Sequence, residues 1–126
     1  MSGRVSHFEI PADDVERAQG FYRDAFGWLI NPMPEMDYTI VSTTKSDEMG
    51  RPLEPGAING GMMRRQEPLR HPVITVEVDD IDEALGQVGR LGGKTVIGRQ
   101  AVGDMGFTAY IQDTEGNVIG LWQTAS

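Results

Sequence analysis

Residues 5–26 read VSHFEIPADDVERAQGFYRDAF, and this stretch decides the fold. Residues 5–10 are predicted to form a strand, ended by Pro11, which has no N–H to give to a ladder. Asp13 and Asp14 then offer a helix N-cap, and Asp13 with Glu16 has capping-box spacing. Val15, Ala18, Phe21, Tyr22, Ala25 and Phe26 recur at helical intervals, so they are read as one apolar stripe packed into the core. Gly27 stands where a C-cap glycine belongs.

Working outward, strands are expected over residues 28–30, 38–43 and 57–63, with a polar loop at 44–56 that carries Gly50, Pro52 and Pro55. The pattern then restarts. Residues 72–78 read as a strand, Asp79-Asp80 repeats the cap pair, and Ile81, Ala84, Leu85, Val88 and Leu91 repeat the stripe. Gly92-Gly93 closes the helix, and strands follow over 94–97, 107–112 and 117–123. Asp13 and Asp14 recur 66 residues later as Asp79 and Asp80, and Ala18, Gly20 and Gly27 fall on Ala84, Gly86 and Gly93. Near the unit ends Gly60 matches Gly120 best, at an offset of 60. The expected fold is therefore α+β: two repeated βαβββ units, about 4–65 and 72–124, forming one domain over 1–126. Curved mixed sheets of this kind, facing each other, would enclose a cavity for a small molecule.

Composition narrows the partners. With 126 residues the chain is long enough for a core of its own. It has no cysteine, which excludes disulfides, iron–sulfur clusters and thiol nucleophiles. Lys plus Arg is 11 against 19 Asp plus Glu, a net charge of −8, which repels nucleic acid and anionic membrane surfaces. The apolar runs are too short to cross a bilayer. No secretory leader opens the sequence, so a cytoplasmic protein is expected.

The opening His7-Phe-Glu-Ile-Pro, the helix ending Phe21-Tyr22 then Phe26-Gly27, the Gly60-Gly61 strand, Val78-Asp79-Asp80 with Leu91-Gly92-Gly93, and the closing Asp113-Thr-Glu-Gly116-Asn117 span nearly the whole chain. Together they resemble the vicinal oxygen chelate superfamily, the glyoxalase I and bleomycin-resistance group. The resemblance implies a glyoxalase/bleomycin-resistance-type domain, and a homodimer as the assembly. It leaves function open among isomerases, dioxygenases, transferases and drug-sequestering proteins. The superfamily's metal ligands, carried over by position, fall on His7, Gly60 or Gly61, Val73 and Gly120. Only His7 is a competent ligand, so the usual metal site reads as lost and no cofactor is expected.

The remaining candidates come from residue chemistry. His7 and Glu9 point to one face of their strand and form a candidate acid–base pair. His71 would join them in a two-His, one-carboxylate set if a metal were held weakly. Arg64, with Arg65 beside it, is a candidate clamp for an anionic ligand group. Trp28, Tyr38, Phe107 and Trp122 are candidate cavity-wall aromatics, with Met62, Met63 and Met105 as adaptable lining and Gly60 leaving room for a ligand. Two functions fit: a protein that binds a small, partly aromatic molecule, or a lyase or isomerase that moves protons through His7 and Glu9.

Overall fold

The computed structural model describes residues 3–125. The chain divides into two compact units, one of residues 7–72, the other of 73–125 together with 3–6. The first repeat runs β1 (Val5–Ala12), α1 (Val15–Phe26), β2 (Leu29–Met33), β3 (Tyr38–Ser42) and β4 (Asn59–Arg64). The second runs β5 (Val73–Glu77), α2 (Ile81–Arg90), β6 (Lys94–Val102), β7 (Gly106–Gln112) and β8 (Val118–Thr124). The fold is α+β, and the βαβββ duplication is present in full.

Each repeat builds its four strands in the same order. In the first it is β2-β3-β4-β1, and in the second β6-β7-β8-β5. The first and last strands of each repeat pair in parallel, β1 with β4 and β5 with β8, and the other pairs are antiparallel. One face of each sheet packs on its helix. In the first unit Ala12, Val41 and Met62 form the buried centre, with Phe8, Val15, Ala18, Tyr22, Trp28 and Ile30 against it. In the second, Ile81, Ala109, Ile111 and Leu121 do the same, with Val76, Leu85 and Val88.

The helix N-caps repeat as closely as the strands. Asp14 accepts from the Arg17 backbone N–H at 3.0 Å, and Asp80 accepts from that of Glu83 at 3.1 Å. Each aspartate thus satisfies an N–H that has no intrahelical partner. The capping residue of α1 is therefore Asp14, one position later than the Asp13–Glu16 spacing suggested. Gly27 closes α1 at φ 73°, a left-handed value that glycine adopts without strain.

Several strand limits differ from the sequence reading. Pro11 does not end β1; it lies opposite Met63, and the strand runs on to Ala12. Strand β2 begins at Leu29 and runs beyond residue 30, through Asn31-Pro32 to Met33, because β2 is the outermost strand of its unit's order and a missing N–H there can face away from the ladder. A short 3-10 turn, Pro34–Met36, joins β2 to β3. Strand β6 is longer than expected, at nine residues, and bends through two register irregularities. Phe21 and Phe26 are not core: they are 59% and 64% exposed. The space beneath α1 is taken by Tyr22 stacked on Trp28, ring centroids 4.9 Å apart, with Phe8 against Trp28.

The strand register also refines the internal match. Glu9 lies opposite Gly61, and Thr75 opposite Gly120. Since Thr75 is Glu9 plus 66, Gly120 is the counterpart of Gly61, not of Gly60 as the sequence pattern suggested.

Candidate functional site

Alternation along β1 and β4 sends Phe8 and Met62 to the helix and leaves His7, Glu9, Asn59 and Gly61 on the opposite face. Tyr38, at the start of β3, shares that face with Ile40, the partner of Gly61. Its ring lies across Gly61. The Cβ of any larger residue at that position would fall within the Tyr38 hydroxyl and ring end. The bare glycine therefore lets the phenol reach β1.

There the hydroxyl meets both candidate residues. Tyr38 donates to Glu9 Oε2 at 2.9 Å, and its oxygen lies 3.0 Å from His7 Nε2. Glu9 is 8% exposed, whereas His7 and Tyr38 are half-buried. The acid–base pair read from the sequence is thus joined through a phenol. Burial lowers the pKa of the His7 imidazole from its ordinary 6.5, with the Glu9 carboxylate pulling the other way. Desolvation dominates, so the ring is neutral at pH 7.

A neutral imidazole carries one ring proton. The Tyr38 hydroxyl donates to Glu9, and its oxygen stands within hydrogen-bond reach of His7 Nε2. His7 Nδ1 makes no hydrogen bond among the described residues and is not fully buried.

Asn59, directly opposite His7, is a residue the sequence reading did not single out. Its side chain accepts from the Thr43 backbone N–H at 2.8 Å and donates to Ser46 Oγ and the Gly50 carbonyl, at 2.8 and 3.1 Å. The 44–56 loop folds back on itself through Asp47, which accepts from the N–H groups of Met49 and Arg51. Asn59 ties that folded loop to the strand beneath His7.

The other candidates lie elsewhere. Trp28, Gly60 and Met62 belong to the helix side of the first sheet, where the open side of Gly60 is filled by the Phe8 ring. A cavity of about 470 Å³ opens at the α1 N-terminus; Tyr38, Thr39, Met62, Met63 and Arg64 line it, but His7 and Glu9 do not. Arg64 is exposed on its rim, while Arg65 is engaged with Asp13 at 3.0 Å and with the Arg70 carbonyl at 2.7 Å, so the two arginines do not act as one clamp. In the second unit Phe107 packs on the core beneath Arg99, and Trp122 donates to Thr124 Oγ1 at 3.0 Å. His71 is exposed, and the described residues contain no group of three His, Asp or Glu that could hold a metal ion, so the His7–Glu9–His71 set is not assembled.

Residues 4–44 match the family model described as bleomycin resistance protein-like N-terminal. A glyoxylase-like domain-containing protein of Didymella fabae is 31% identical over 122 residues, covering 93% of this chain and 91% of that protein. The chain is a glyoxylase-like member of the vicinal oxygen chelate superfamily. The protein named "Putative glyoxylase CFP32" of Mycobacterium tuberculosis is 29% identical over 126 residues. The alignment takes in 96% of this glyoxylase-like chain but only 46% of that protein, so the chain spans about half the length of this relative. In fold it is similar to methylmalonyl-CoA epimerase of Streptomyces coelicolor, with TM-score 0.66 and 15% identity over 100% of this chain and 97% of that one.

The superfamily's metal positions can be tested on these side chains. His7 Nε2 is occupied by the Tyr38 hydroxyl, and the space a donor side chain at residue 61 would use is filled by the same phenol. Val73 is a buried hydrocarbon, and Gly120 faces the Thr75 hydroxyl, 2.8 Å from where a Cβ would sit. Of the four positions only His7 carries a side chain of metal-ligand chemistry.

Proposed function

We propose that this glyoxylase-like chain takes a small carbonyl compound against the His7–Glu9–Tyr38 face and moves a proton on it, as an isomerase or lyase. The observation that carries the reading is the phenol bridge: Tyr38 lies within hydrogen-bond reach of both His7 and Glu9, at 3.0 and 2.9 Å. A general base needs a neutral, reachable nitrogen held in one orientation by its other side. His7 meets both conditions. In the forward step a C–H bond beside the carbonyl breaks, its proton forms a bond to His7 Nδ1, and its electron pair moves into the carbonyl as an enolate. The proton returns to the same or a neighbouring carbon, so no oxidant or co-reactant is consumed. The imidazolium formed between these steps is stabilised through Tyr38 by the Glu9 carboxylate.

The net charge of −8 weighs against a polyanionic acyl-CoA and favours an uncharged carbonyl compound. A second reading, binding of a small, partly aromatic molecule without turnover, is favoured by the residues at the superfamily's metal positions, where His7 is the one donor that could hold a metal to stabilise an enolate. The test is proton exchange in D2O, followed by proton NMR, with methylglyoxal, simple 2-oxo acids and methylmalonyl-CoA as probes. Deuterium entering a probe with the native chain, and not with His7→Ala, supports the first reading. Saturation transfer from protein to a probe without exchange overturns the first and supports the second. Neither signal with any probe overturns both.

A further inference from the structure

We infer that Tyr38 is a positioning residue: its hydroxyl, admitted over Gly61, fixes the ring proton of His7 on Nε2 and turns Nδ1 toward the ligand. Three contacts carry this. The Tyr38 proton is committed to Glu9 Oε2 at 2.9 Å, which leaves its oxygen as an acceptor. His7 Nε2 stands 3.0 Å from that oxygen. The closeness of the phenol depends on residue 61, since any Cβ there would displace the ring. A carboxylate that orients an imidazole directly would hold one of its nitrogens by itself. Here Glu9 and His7, two residues apart on one strand, are bridged instead by a side chain from β3. The orienting contact thus comes from an element that the register sets through Gly61. The role of Nδ1 rests on the proton-transfer reading above; the placement of the ring proton does not.

The experiment is proton and nitrogen NMR of ¹⁵N-histidine-labelled protein in water at pH 7.5, a spectrum that a merely structural phenol would not shape. The expected result is a ring N–H resonance of His7 on Nε2, retained against solvent exchange, with none from exposed His71. Tyr38→Phe, with folding checked by the backbone amide spectrum, should lose that resonance, and Gly61→Ala should lose it as well. A His7 resonance on Nδ1, no retained resonance in the native protein, or one that survives Tyr38→Phe would each overturn the inference. The native spectrum decides the placement even if both variants fail to fold. A proton on Nε2 without deuterium exchange into any probe would sink the proton-transfer reading alone. A proton on Nδ1 with exchange intact would sink this inference alone.

Discussion

Gly61 and Tyr38 share one volume: the phenol of the second lies where the Cβ of the first would be. The clash involves the ring as well as the hydroxyl, so rotation of the O–H cannot relieve it. Gly61→Ala should therefore expel the ring and strip a buried carboxylate of a donor. Overpacking and a lost partner each cost about 1–3 kcal/mol, so a fall in Tm on the order of 10 °C is expected by calorimetry. Gly98→Ala, where a Cβ meets nothing within 4 Å, should leave Tm nearly unchanged. Equal effects from both would contradict the account.

Acid should weaken the fold through His7. Its pKa in the folded protein is below the ordinary 6.5 because burial disfavours the charged ring. The unfolded chain therefore binds a proton that the folded one refuses, and the difference grows as pH falls below 6.5 toward the folded value. Stability is full above 6.5 and declines beneath it. In His7→Gln part of that decline should vanish. Urea midpoints at pH 7.5 and 5.5 check this, and an equal acid loss in the variant would refute it.

Asn59→Ala should release the 44–56 loop. Four side-chain bonds are lost, and the Thr43 N–H is left without its partner. The expected cost is about 1–3 kcal/mol, with faster tryptic cleavage after Lys45. Unchanged cleavage would mean that the loop is held by other contacts.

The two caps make a matched pair. Asp14→Ala and Asp80→Ala each remove an acceptor from one helix N–H and should cost about 0.5–2 kcal/mol apiece. Thermal unfolding of the single variants would check this, and a loss confined to one of them would show that the equivalence is geometric only.

Much of this was legible in the sequence. The 66-residue echo of Asp13-Asp14 gave the duplication, and Gly27 marked the end of α1 correctly. His7 and Glu9 could be paired because strand side chains alternate. Tyr38 was visible only as an aromatic; its meeting with Glu9 joins residues 29 apart and depends on the β3–β4 register. Asn59 was hidden for the same reason, since its partners lie across the loop. Phe21 and Phe26 misled because helical spacing marks an apolar stripe without showing how much of it the sheet covers. Pro11 misled because a proline forbids one hydrogen bond, not an extended backbone.

The duplication carries its own mutagenesis experiment. At the places of His7 and Glu9 the second repeat has Val73 and Thr75, on the same parallel strand pair and beside the equivalent glycine. That repeat completes the same helix, N-cap and strand order without an imidazole or a carboxylate there. A βαβββ unit thus does not need either group to form. The first repeat holds an acid in a dry place where its own sibling manages with an alcohol, so the shared architecture does not by itself call for a carboxylate at Glu9.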